Sequence, residues 1–129
     1  MGLEVGMHGD ASLVVGEEQT AAAFGAGGVR VLGTPVMIGL MENAAWRLVQ
    51  PELAEGETTV GTLVNVRHLA ATPVGGHVVA TAELMEIDGR RFVFRVSARD
   101  DKQLIGEGIH ERALVQLDRF LARINAAPS

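Results

Sequence analysis

Thr34-Pro35-Val36-Met37-Ile38-Gly39-Leu40-Met41-Glu42-Asn43-Ala44-Ala45-Trp46-Arg47-Leu48-Val49-Gln50 carries one hydrophobic period from end to end. Met37, Leu40, Met41, Ala44, Ala45 and Leu48 recur at three- and four-residue spacing, which lines one face of an α-helix. Thr34 stands where an N-cap belongs, and Pro35 falls at the first helical position, where its missing N–H costs nothing. Pro51 ends the run, because the residue before a proline is pushed out of the helical region. About 16 residues at 1.5 Å each make a rod some 24 Å long. Gly39, Ala44 and Ala45 are small enough to let a sheet or a partner approach closely.

Beyond the helix the period switches from 3.6 to 2. Thr58 to His68 sets Val60, Val64 and Val66 on one face, and His77 to Ile87 sets Val78, Ala80, Ala82 and Leu84 together. In Arg91 to Arg99, Phe92, Phe94, Val96 and Ala98 alternate with Arg91, Arg95, Ser97 and Arg99. Asp88-Gly89 is a two-residue hairpin signal that asks for positive φ at both positions. Asp100 to Lys102 makes a second tight turn, Gln103 to Leu117 a last strand, and Asp118 to Ala126 a short helix. Upstream, Ala11 to Val15 reads as a first strand. The Ala- and Gly-rich stretch from Ala21 to Gly28 reads as a mobile loop, with a turn of helix at Gln19 to Phe24. This order predicts an α+β hotdog fold, a long central helix wrapped by a curved antiparallel sheet of about five strands. Residues 1–129 form one domain, with a variable segment at 1–33 and a core at 34–126. Its edge strands call for a dimer.

Composition narrows the function. With 16 acidic against 11 basic residues, a net charge of −5, one Trp and no Tyr, the chain is poorly suited to nucleic acid. It has no cysteine, hence no thiol nucleophile, thiolate metal site or disulfide, which fits a cytoplasmic protein. No run reaches the roughly 20 apolar residues of a membrane span, and no signal peptide is evident. His68 and His110 lack the paired spacing of a zinc site. Gly25-Ala26-Gly27-Gly28 lacks the Lys-Ser/Thr of a phosphate loop. No metal or cofactor is expected.

The segment Gly33-Thr34-Pro35-Val36-Met37-Ile38-Gly39-Leu40-Met41-Glu42 resembles the catalytic-helix motif of the fluoroacetyl-CoA thioesterase family. The likeness continues through Val60-Gly61-Thr62, Val66-Arg67-His68-Leu69-Ala70-Ala71-Thr72-Pro73, Ala82-Glu83-Leu84, Gly89-Arg90-Arg91, Arg95-Val96-Ser97-Ala98 and Gly108-Ile109-His110-Glu111-Arg112-Ala113. It covers Thr34 to about Ala122, in order and with matching spacing. The resemblance implies a small acyl-CoA as substrate, a catalytic group of Thr34, Glu42 and His68, and an acyl pocket lined by Gly61 and Arg112.

Those residue types suit thioester hydrolysis. A partly buried Glu42 could serve as base or nucleophile, His68 could polarise or protonate, and Thr34 with the free N–H groups of the first helical turn could hold an oxyanion. Thr34 and Glu42 are eight positions apart, about 12 Å along one helix. Both cannot reach one carbonyl, so the site is expected to be composite, with Thr34 from one subunit and Glu42 from another. Each residue also has a plainer reading: Thr34 as a helix cap, Glu42 as a solvated residue, His68 as a core histidine, Gly61 as a bulge, and Arg112 pairing with Glu111 or Glu107.

The stretch before Thr34 departs from the family. Phe24 is its one aromatic, where the fluoroacetyl-specific enzyme carries an aromatic lid, and Asn43 follows Glu42 in place of a Trp, with Trp46 one turn on. These departures favour a short or otherwise small acyl group over the fluorinated one. Sequence leaves dimer or tetramer open, and the alternative function is a non-catalytic acyl-CoA-binding hotdog domain.

Overall fold

The computed structural model describes residues 2–126, so Met1 and residues 127–129 of the expected 1–129 unit lie outside it. Strand β1 (His8–Val14) leads through a 3-10 turn (Glu17–Gln19) to a one-turn helix, α1 (Ala21–Phe24). Helix α2 (Thr34–Val49) follows, then β2 (Glu57–His68), β3 (His77–Asp88), β4 (Arg91–Arg99), β5 (Leu104–Gln116) and helix α3 (Leu117–Ile124). The strands form one antiparallel sheet in the order β1-β3-β4-β5-β2. Helix α2 lies against β1, β2, β3 and β4, giving the expected hotdog arrangement.

The helix stripe and the sheet's alternation meet in one core. Met37, Leu40, Met41, Ala44, Ala45 and Leu48 are all buried, joined by Val49. Facing them are Val78, Ala80, Ala82 and Leu84 of β3 and Phe92, Phe94, Val96 and Ala98 of β4. Each large side chain so buried contributes about 1.5–3 kcal/mol. Among the described residues no helix is long and apolar enough to cross a membrane.

Four expectations are corrected. Thr34 is not the helix cap: Gly33 is, its carbonyl accepting from Val36 and Met37, so Thr34 takes the first helical position and its hydroxyl is not used in capping. The β3–β4 hairpin turns at Gly89-Arg90, since Asp88 pairs with Arg91 and only Gly89 has positive φ, 60°. One positive φ at the first central residue is the pattern of a II′ turn. Val60 does not share a face with Val64 and Val66, because the β2–β5 register slips between Gly61 and Leu63, and the extra residue switches parity. Finally, 21–28 is not a free loop. Thr20 caps α1 through Ala23 N–H, Gly25 ends it at φ 80°, and Ala21 and Ala22 donate to the carbonyls of Val31 and Val29.

Candidate active site

The N-terminus of α2 and the end of β2 bring the first pair of side chains together. Thr34 Oγ1 lies 2.7 Å from His68 Nδ1. His68 Nε2 is buried with no hydrogen-bond partner among the described residues. Burial pulls the pKa of His68 below its ordinary 6.5, with the Ala70 carbonyl resisting. The ring is therefore neutral at pH 7, able to accept at one nitrogen and donate at the other. Beside the pair opens a cleft of about 410 Å³, walled by Ala21, Val29, Val31 and Ala70. The α1 turn and its return strand form one side of this cleft.

Two helical turns along α2, a second cluster forms. Arg112 of β5 is buried, and its guanidinium reaches four acceptors. Nε donates to Thr59 Oγ1 (2.8 Å), Nη2 to the Thr59 carbonyl (3.0 Å), and Nη1 to Glu42 Oε2 (3.3 Å) and His110 Nε2 (3.2 Å). Arg112 thus pairs inward with Glu42, while Glu111 takes Arg91 on the outer face. Glu42 itself remains 41% exposed. A Cβ on Gly61 would stand 2.5 Å from Glu42 Oε2, so the missing side chain is what lets the carboxylate lie against β2. Gly61 also borders the bulge, and both readings of this residue hold together.

His110 is the residue that sequence reasoning passed over. Its ring is 1% exposed and stacks on Phe94, and Nδ1 lies 2.8 Å from the Leu63 carbonyl, just past the bulge. Arginine has no acceptor, so Arg112 must donate to Nε2, and the proton sits on Nδ1, donated to Leu63. Burial first, then the guanidinium, pull the pKa of His110 below 6.5, against Leu63, Glu42 and Glu111. The signal was present in β5: His110 and Arg112 occupy alternate, inward positions where apolar residues are the rule.

The five expected residues therefore fall into two groups, Thr34 with His68, and Glu42 with Gly61 and Arg112. No hydrogen bond or ion pair joins the groups among the described residues. Gly61 and His68 are seven positions apart on β2, roughly 20 Å. No cluster of three or more His, Asp or Glu that could hold a metal occurs among the described residues.

Residues 15–118 match the family described as fluoroacetyl-CoA-specific thioesterase, FlK. The chain belongs to the fluoroacetyl-CoA-specific thioesterase family. Its chemistry is thioester hydrolysis. The family match starts well before Thr34, where the sequence resemblance was placed, and so takes in the α1 turn. Over 94 residues the chain is 48% identical to the fluoroacetyl-CoA thioesterase of Streptantibioticus cattleyicolor, covering 73% of this chain and 68% of that protein. A solved structure of the fluoroacetyl-CoA thioesterase FlK superposes with a TM-score of 0.92 at 39% identity, covering 99% of this chain and 100% of that one. A hot-dog-like protein from Thermanaerovibrio acidaminovorans, 22% identical, gives 0.88 over 98% and 96% of the two chains and bears on the fold alone.

Proposed function

We propose that residues 1–129 work as one cytoplasmic thioesterase domain, paired with a second copy, that hydrolyses a small acyl-CoA at a site shared between the two. The observation that carries this reading is the separation of the two half-sites on one continuous helix, beside an unpaired edge. β2 is twelve residues long, lies at the sheet's edge, and exposes Leu63 (41%) and Val64 (43%). Such an edge is a template for a further strand. Antiparallel pairing of β2 with its copy about Val64, with the bulge between Gly61 and Leu63 taking up one residue, sets His68 of one subunit opposite Thr59 of the other, two positions from Gly61 on the same inward face. Thr34 and His68 of one copy then face Glu42, Gly61 and Arg112 of the second across one thioester.

The chemistry follows from the groups. The Thr34 hydroxyl donates to His68 Nδ1, which leaves Nε2–H for the carbonyl oxygen as negative charge develops there. Glu42 attacks the carbonyl carbon, directly or by taking the proton of an attacking water. The C–S bond breaks and the thiolate of CoA leaves. On the direct route the acyl group stays on Glu42 as a mixed anhydride until a water hydrolyses it. On either route water supplies the hydroxyl of the departing carboxylic acid and, through Glu42, the proton taken up by the thiolate. Ala21, Ala26 and Gly27 wall the cleft with small side chains, and Phe24 is 56% exposed, which favours selection by size over an aromatic lid.

The rival reading is a non-catalytic acyl-CoA-binding domain, favoured by the Glu42–Arg112 ion pair, which could hold Glu42 in a structural role. Initial rates on a panel of acyl-CoAs, fluoroacetyl-CoA included, decide between them. Turnover is expected on short acyl groups, falling at least 100-fold in Glu42→Gln and in His68→Ala. Binding without turnover establishes the rival, and turnover indifferent to both changes overturns the roles given to Glu42 and His68.

A further inference from the structure

The bulge of β2 and the inward side of β5 build one polar chain inside the Glu42 half-site. It begins at the carbonyl of Leu63, the first residue past the register slip, which accepts from His110 Nδ1 at 2.8 Å. His110 Nε2 then accepts from Arg112 Nη1 at 3.2 Å. The same Nη1 donates to Glu42 Oε2 at 3.3 Å. The three side chains meet over Gly61, where a Cβ would stand 2.5 Å from Glu42 Oε2, 3.4 Å from His110 Cε1 and 3.6 Å from Arg112 Nη1. The His110 ring is buried and stacked on Phe94, which fixes its plane. Glu42 Oε1 has no hydrogen-bond or ion-pair partner among the described residues.

Nη1 of an arginine carries two hydrogens, and here they have separate uses, one on His110 and one on Glu42. His110 is neutral at pH 7, its pKa lowered chiefly by burial. A neutral ring takes its N–H without competing for the positive charge, which stays with Glu42. Remove that acceptor, and a buried guanidinium N–H is left unsatisfied beside one open acceptor, Glu42 Oε1. Guanidinium and carboxylate would then close into a two-point pair, the tightest arrangement open to them. Both carboxylate oxygens would be engaged, and neither would be left for a carbonyl carbon or a water. We propose that His110 is a positioning residue for thioester hydrolysis: by accepting one Nη1 hydrogen of Arg112, it holds the Arg112–Glu42 contact to a single point and leaves the second oxygen of Glu42 for the reaction. The inference rests on the role given to Glu42 above, and adds the group that keeps Glu42 reactive while it is ion-paired.

The test compares the full chain with His110→Phe, His110→Gln and Glu42→Gln on acetyl-CoA. His110→Phe keeps a ring against Phe94 and removes both nitrogens, whereas His110→Gln restores an uncharged acceptor. The His110 tautomer is read in the unmodified protein by long-range proton–nitrogen NMR correlation at neutral pH. The proton is expected on Nδ1, with Nε2 bare. In His110→Phe, kcat should fall at least tenfold with KM within about threefold, and His110→Gln should return kcat to within about threefold of the unmodified protein's. A proton on Nε2, an undiminished kcat in His110→Phe, a loss confined to KM, or a His110→Gln as slow as His110→Phe overturns the assignment. The tautomer needs no substitution, so it decides even where a variant fails to fold. Glu42→Gln separates the two readings. If it turns over like the unmodified protein, the role of Glu42 falls and this inference with it; an inactive Glu42→Gln beside a fully active His110→Phe sinks His110 alone.

Discussion

Glu42 and Gly61 act as a pair. The carboxylate occupies the space a Cβ at position 61 would fill, 2.5 Å from Oε2. Because the obstacle is the end of a flexible side chain, Gly61→Ala should fold with little loss of stability while displacing the carboxylate. A misplacement of that size costs up to about 100-fold in rate, so kcat should fall tenfold or more with the melting temperature nearly unchanged. A large drop in melting temperature, with kcat retained, would make Gly61 structural. The histidines set the pH response. His68 and His110 both have folded pKa values depressed below 6.5 by burial. The unfolded chain then binds more protons as pH falls, so their stabilisation is complete above 6.5 and lost as pH drops through the folded values. Urea midpoints from pH 8 to pH 5 should decline on the acid side, and kcat/KM should decline with protonation of His68. A kcat/KM that rises as pH falls would contradict a neutral working His68.

Elements differ in how openly they announced themselves. Helix α2 and strands β3 and β4 were legible because their cores are periodic: Met37 to Leu48 at helical spacing, and Phe92 to Ala98 in strict alternation. The bulge between Gly61 and Leu63 was not, because an inserted residue such as Thr62 leaves no mark in composition and shows only through the partner strand's register. Around α1 the turn of helix expected at Gln19 to Phe24 is present, but the anchoring of residues 21–28 was not legible, for a related reason. The order of that segment comes from distant partners, Leu32 N–H on the Thr72 carbonyl and Gly33 N–H on the Gln19 carbonyl, rather than from propensity. Of the candidate residues, the motif exposed five, while His110 and Thr59 emerged only when strand pairing set them around Arg112. Close approach at β1 is also invisible in sequence. A Cβ at Gly9 would lie 2.7 Å from the Ala44 carbonyl and 2.7 Å from Leu48 Cβ, so the strand sits on the helix because Gly9 has no side chain. Gly9→Val must push backbone apart, and should cost about 1–3 kcal/mol in denaturant unfolding. A neutral result would show that β1 can lift away from α2.

At the scale of the whole molecule, one helix holds two chemical groups too far apart within one chain to act on the same carbonyl, and the β2 edge of the sheet is unpaired among the described residues, where the proposed pairing would bring in a second copy. The most direct measurement is complementation between two inactive proteins, Glu42→Gln and His68→Ala, co-expressed or mixed so that subunits exchange. If each site takes Thr34 and His68 from one copy and Glu42 from the other, every mixed dimer holds one intact site and one doubly damaged site. Half the dimers are mixed at equal input, so activity should return to about a quarter of the unmodified protein's. Recovery to that level, from two parents that are each inactive, is the result expected. A mixture as inactive as its parents, with subunit exchange verified, would mean that each site is completed within one chain.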